Sequence, residues 1–89
     1  MCRNIKVLFN IDPPVTEEEM RQAALQFVRK VSGMNAPSKA NEAAFYEAVE
    51  AIAEIEKRLL GSLQTHAPAK DREEEAAKAR ARSAQRFAR

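Results

Sequence analysis

From residue 16 onward the apolar positions of the chain recur with the period of a helix. Taken at 100° per residue, Met20, Ala23, Ala24, Phe27, Val28 and Val31 fall within about 140° of one another, while Glu18, Gln22 and Arg29 face away. Thr16 with Glu19 three positions on has the form of a capping box, in which each side chain satisfies a free amide of the other's backbone. Gly33 stands where a left-handed C-terminal cap is needed, and Arg29 and Lys30 place positive charge in the last turn, where it offsets the helix dipole. A first helix is predicted over about 16–32.

The connector MNAPS follows, and Ser38 is positioned to cap the next element. From there Ala48, Val49, Ile52, Ile55, Leu59, Leu60 and Leu63 all lie within about 80° of Phe45 on a helical wheel, with Glu47, Glu50 and Glu54 opposite. A second helix over about 38–63 is expected to lay this stripe against that of the first, as an antiparallel hairpin or a crossing pair.

The opening segment is ambiguous by period. Ile5, Val7, Phe9 and Ile11 alternate as in a strand, but Ile5, Leu8 and Phe9 also suit a short helix. A lone strand in a helical chain has no ladder partner unless a second copy supplies one, so the expectation is a short helix over about 4–11, with a strand-swapped dimer as the alternative. Residues 64–70 lack periodicity, contain Pro68 and read as a linker. Asp71 then caps a last helix over 71–89, in which Glu73, Glu74 and Glu75 precede Lys78, Arg80, Arg82, Arg86 and Arg89, and a Glu74 to Lys78 pair is expected. The fold class is therefore all-α: a small helical hairpin or three-helix domain over 1–63, extended by a charged C-terminal helix.

Composition supports this reading. Eighty-nine residues with two glycines, no Trp, 45% hydrophobic and 31% charged residues suit one small helical domain and are too apolar for a disordered chain. A single cysteine and no recognisable leader point to a reducing, cytoplasmic setting, with no cofactor implied. The apolar runs fall far short of the roughly 18 residues that span a bilayer, so no membrane role is expected. Residues 1–63 carry eight Lys/Arg against nine Asp/Glu, and residues 64–89 carry seven against four, so the basic character belongs to the tail.

Candidate chemistry is sparse. Cys2 is the one nucleophile candidate: with Met1 removed its free amine could act as internal base, and Arg3 could favour its thiolate. A small packed residue is the plainer account, since the short chain offers little room for a cleft and an oxyanion hole. His66 is the lone His and no second Cys is present, so no metal site is expected. Glu56 falls inside the apolar stripe of the second helix and calls for a partner such as Arg3 or Lys6. The most concrete feature is in the tail, where Lys78, Arg82, Arg86 and Arg89 share an 80° sector suited to the phosphates of nucleic acid or an acidic protein. Ala77, Ala81, Ala84 and Ala88 form a separate seam for a neighbouring helix. The reading that follows is a non-enzymatic binding module, with a thiol-dependent enzyme or redox protein using Cys2 and a self-associating structural or interaction protein, such as a homodimer, as alternatives.

The stretches MCRNIK, LFN, QFVRK, PSKANEAAF and REEEAAKARAR together resemble a family of small uncharacterised bacterial proteins that carries a domain of unknown function. Ile11 stands where that pattern has an aromatic and Glu56 where it has a small polar residue. The resemblance implies no activity, substrate or partner. The segment IKVLFNIDPPVTEEEMRQA is also similar to the start of a J-domain co-chaperone, but the His-Pro-Asp tripeptide is missing and that function is set aside. The helix, connector, helix arrangement looks like the helix-two-turns-helix modules of DNA-repair glycosylases, a likeness of shape that agrees with a basic tail.

Overall fold

The computed structural model describes residues 5–87. Its frame is an antiparallel hairpin of two helices, α1 (Glu17–Ser32) and α2 (Glu42–Ser62), followed by a separate helix α3 (Arg72–Phe87). A two-residue parallel bridge joins β1 (Ile11–Asp12) to β2 (Lys70–Asp71), pairing Ile11 with Lys70 and Asp12 with Asp71.

Helix α1 forms as its end signals require. Thr16 is the N-cap: its hydroxyl accepts from the Glu19 amide at 3.1 Å, and the Glu19 carboxylate accepts from the Thr16 amide at 2.9 Å. Gly33 closes the helix at φ 74°, where it can adopt the left-handed conformation without a Cβ clash, and its amide donates to the Arg29 carbonyl. Helix α2 begins later than expected. Ser38 makes no capping bond to the backbone; its hydroxyl instead accepts from Asn41 Nδ2 at 2.8 Å, and a single 3₁₀ turn, Lys39–Asn41, precedes the helix.

The opening segment corrects the sequence-based expectation. Residues 5–10 do not form the short helix expected over 4–11. The short strand that follows them, Ile11–Asp12, finds its partner at the end of the 64–70 segment of the same chain. Asn10 makes this possible. It adopts φ 56°, a left-handed conformation that Asn tolerates better than most residues, its Nδ2 donates to the carbonyls of Ala67 and Pro68 at 3.2 Å each, and its own carbonyl accepts from the Lys70 amide at 2.9 Å. Local pattern could not show a contact between residues nearly sixty positions apart. Replacing Asn10 by Ala is expected to release residues 67–70 and abolish protection of the Lys70 amide in hydrogen exchange, with that of the α1 and α2 amides retained; unchanged Lys70 protection would contradict the assignment.

The interior lies between α1 and α2. Ala24 and Val28 pack on Phe45 and Val49, flanked by Leu25, Met34, Ala48, Ile52 and Ala53. A second cluster seats Leu8 of the opening segment on Met20 and Ala23, with Val15 and Leu60 around it. Much of each predicted stripe stays uncovered: Phe27, Val31, Ile55, Leu59 and Leu63 are exposed. Two helices can bury only the strip along which they touch, so the remainder of a 140° stripe has nothing to face. The outline reflects this. The Cα extents are 46 × 38 × 16 Å and the radius of gyration is 16.0 Å, against about 12 Å for a close-packed chain of this length.

Candidate functional site

The C-terminal helix carries the candidate site, and three contacts set its direction. The Asn10 bonds hold the approach to β2, the β1–β2 bridge fixes its register, and Asp71 caps α3 by accepting from the Glu74 amide at 3.0 Å. Arg72, the first residue of α3, then reaches the Glu19 carboxylate at 2.8 Å, joining the two helices at their N-terminal ends. Glu19 therefore serves both its own helix cap and the anchor of α3. The guanidinium of Arg72, the Thr16 amide and the Thr16 hydroxyl all favour its charged form and hold its pKa down at about 2, against burial acting the other way. Sequence reasoning found the cap but missed this ion pair and the Asn10 clamp, since neither partner carries a local signal of the other.

Beyond its first turn, α3 runs clear of the hairpin. Of residues 73–86 only Glu75 and Ser83 are partly covered. Lys78, Arg82 and Arg86 are exposed, stand four residues apart on one side of the helix, and so repeat about every 6 Å along its axis. Lys78 pairs with Glu75 at 3.6 Å rather than with Glu74 as expected, a loose contact between side chains that remain in water. Among the described residues, no ion pair engages Arg82 or Arg86. Arg89, the fourth member of the predicted stripe, lies outside the described residues.

The other sequence candidates are dispersed. Cys2 lies outside the described residues, as does Arg3, so neither the proposed nucleophile nor the Arg3 pairing of Glu56 is placed. His66 is exposed in the 64–70 segment. Among the described residues, no three His, Cys, Asp or Glu side chains converge as metal ligands would. Glu56 is half-buried, as its position in the apolar stripe implied, and does not pair with Lys6. Its Oε2 is enclosed without a partner among the described residues, and desolvation raises its pKa above the ordinary 4.5.

The two flanks of the hairpin differ sharply. On one, Arg21 and Glu50 form an ion pair, and Lys57 reaches Glu17 at 2.7 Å. On the other, a groove of about 330 Å³ runs between Phe27, Val31 and Met34 on one side and Ala44, Ala48 and Ile52 on the other.

A family model described as an uncharacterized conserved protein, DUF2277, matches residues 1–78. The chain belongs to the DUF2277 family. The match takes in the Thr16–Glu19 cap, the hairpin, the Asn10 clamp and the Arg72 anchor, and ends at Lys78, so Arg82, Arg86 and Arg89 lie outside the matched residues. No curated protein and no solved structure matches the chain.

Proposed function

We propose that this DUF2277 protein is a non-enzymatic binding module that contacts nucleic acid through the exposed basic side of α3. The observation that carries the reading is the geometry of that helix: after Glu75 every charged residue in the chain is Lys or Arg, and those of the described helix stand in water on an arm held away from the body. A row of cations on a rigid rod neutralises phosphates and releases condensed counterions, which gives affinity without demanding sequence recognition. The hairpin is the scaffold that fixes the arm's direction through Arg72 and Asp71. A cytoplasmic setting in a bacterial cell goes with this reading, and the lone cysteine asks for no oxidising compartment. Among the described residues no helix is long and apolar enough to cross a membrane.

The test is a salt titration of binding to duplex DNA and to a structured RNA. The full chain is compared with the variant Lys78→Ala/Arg82→Ala/Arg86→Ala. Binding by the full chain should weaken steeply with salt, and each phosphate contact removed should lower the slope of log K against log salt by about 0.9. Equal affinity and slope for the two proteins, or no binding by either, overturns the reading. Binding of an acidic polypeptide in preference to both nucleic acids would transfer the arm's role to a protein partner.

A further inference from the structure

The uncovered apolar flank of the hairpin makes a more specific demand on the molecule. On helical wheels the Arg21–Glu50 and Glu17–Lys57 pairs lie on one side of the α1–α2 contact line. Phe27 and Val31 on α1 and Ile52, Ile55 and Leu59 on α2 lie on the other. Val31 is 71% exposed, Ile55 56%, Leu59 54% and Phe27 48%. Groups of this size at neighbouring positions make an apolar patch on the order of several hundred Å², which in a soluble protein marks a surface that meets another.

We infer that this flank is the interface of a two-fold homodimer, in which a second copy lays the same face on the first to complete a four-helix layer. Three observations select a second copy as the occupant. Among the described residues no other segment lies over this flank: Leu8 covers the Met20, Ala23 and Leu60 end instead, and the apolar residues of α3 up to residue 86 are all alanine. The patch is uncharged at its centre, so its complement must be apolar as well. The same face turned about a two-fold axis meets that requirement and brings Phe27 and Ile52 of each copy to a common seam.

The third observation is area. The accessible surface is 7267 Å², where a folded monomer of 10.0 kDa exposes about 5,200 Å². Projection of α3 accounts for part of the excess of roughly 2,000 Å². What remains need only reach about 800 Å² per partner to make an interface of standard size. The interior points the same way: among the described residues no large side chain is less than 2% exposed, the state of half a bundle rather than a closed one. The inference stands apart from the nucleic-acid reading, because it rests on the hairpin and not on α3. Should both hold, pairing the hairpins would present two basic arms on one particle and raise its avidity for a polyanion.

Sedimentation equilibrium of the full chain from low to several hundred micromolar decides the matter. The expected result is a species of twice the 10.0 kDa chain mass that dissociates on dilution. The variant Val31→Glu/Ile55→Glu places like charges in the seam and should weaken dimerisation at least about a hundredfold. The variant Arg21→Ala/Lys57→Ala, on the ion-paired flank, should leave it unchanged. Far-UV circular dichroism accompanies each measurement. If the double glutamate variant loses its helix, Ile55→Ser, which adds no charge, is read in its place and should weaken the dimer about tenfold. A wild-type chain that sediments at single-chain mass throughout overturns the inference. So does a trimer or larger species, a dimer unmoved by the seam substitutions, or a dimer lost on changing the ion-paired flank.

Discussion

Replacing Phe45 by alanine is expected to leave the protein largely unfolded at room temperature. Phe45 is 5% exposed, sits at the centre of the Ala24, Val28 and Val49 cluster, and meets the ring of Tyr46 edge-on with centroids 5.1 Å apart and planes at 74°. Truncating a buried phenylalanine costs about 3–5 kcal/mol through lost transfer energy and the cavity left behind. A chain of this length has about 4–13 kcal/mol in total, and one whose interior is a single strip between two helices belongs at the lower end. Neighbours in a closed core can shift inward to fill a gap, but here no further layer of the described chain backs the strip. Urea denaturation followed by circular dichroism should show the transition midpoint lost or moved close to zero denaturant, while Phe45→Leu keeps a cooperative transition. A Phe45→Ala protein with a wild-type midpoint would show that the interior lies elsewhere.

Glu19→Ala is expected to have the next largest effect, because one carboxylate serves two helices. Its removal frees the Thr16 amide, at a cost of about 1 kcal/mol for a lost cap, equivalent to a fall of roughly 4–8 °C in Tm for a small domain. It also cuts the tie to Arg72, whose guanidinium then lacks the partner that holds its Nη2. That contact is partly in water, so it adds to the loss by less than a buried pair would. The same residue predicts a pH dependence. Its folded pKa is about 2 against the ordinary 4.5 of a free glutamate, so the charged form is favoured by folding. The stabilisation it gives is fully present above about pH 4.5 and disappears as the pH falls through 4.5 towards 2. Thermal melts across that window should show the wild-type Tm falling towards that of Glu19→Ala, with the gap between them closing at the acid end. A constant gap down to pH 2 would show that the carboxylate is not held in its charged form.

Together these effects describe a molecule whose scaffold and whose arm are stabilised by different means. The scaffold depends on a few apolar contacts around Phe45. The arm depends on polar ties at its base, Asn10 to the 67–70 backbone, Asp71 to Glu74 and Arg72 to Glu19, and on helix propensity beyond them. Such an arm can be weakened without unfolding the hairpin, which is what allows the basic residues of α3 to be tested separately.

The sequence alone determined the local structure. Thr16, Glu19 and Gly33 mark the limits of α1 because caps and left-handed closures are set by residues a few positions apart. The apolar period of residues 45–63 specified α2, and Asp71 specified the start of α3, for the same reason. Tertiary structure decided what each stripe faces. A helical wheel shows that Phe27, Val31, Ile55 and Leu59 lie on an apolar side, but it cannot show that two helices have only one line of contact and leave these residues outside it. It decided likewise that residues 11–12 pair with 70–71, since Asn10 meets Ala67 and Pro68 only after the chain has run up one helix and down the next. Period and capping are properties of neighbours in sequence, whereas coverage and pairing depend on which surfaces the folded chain brings together.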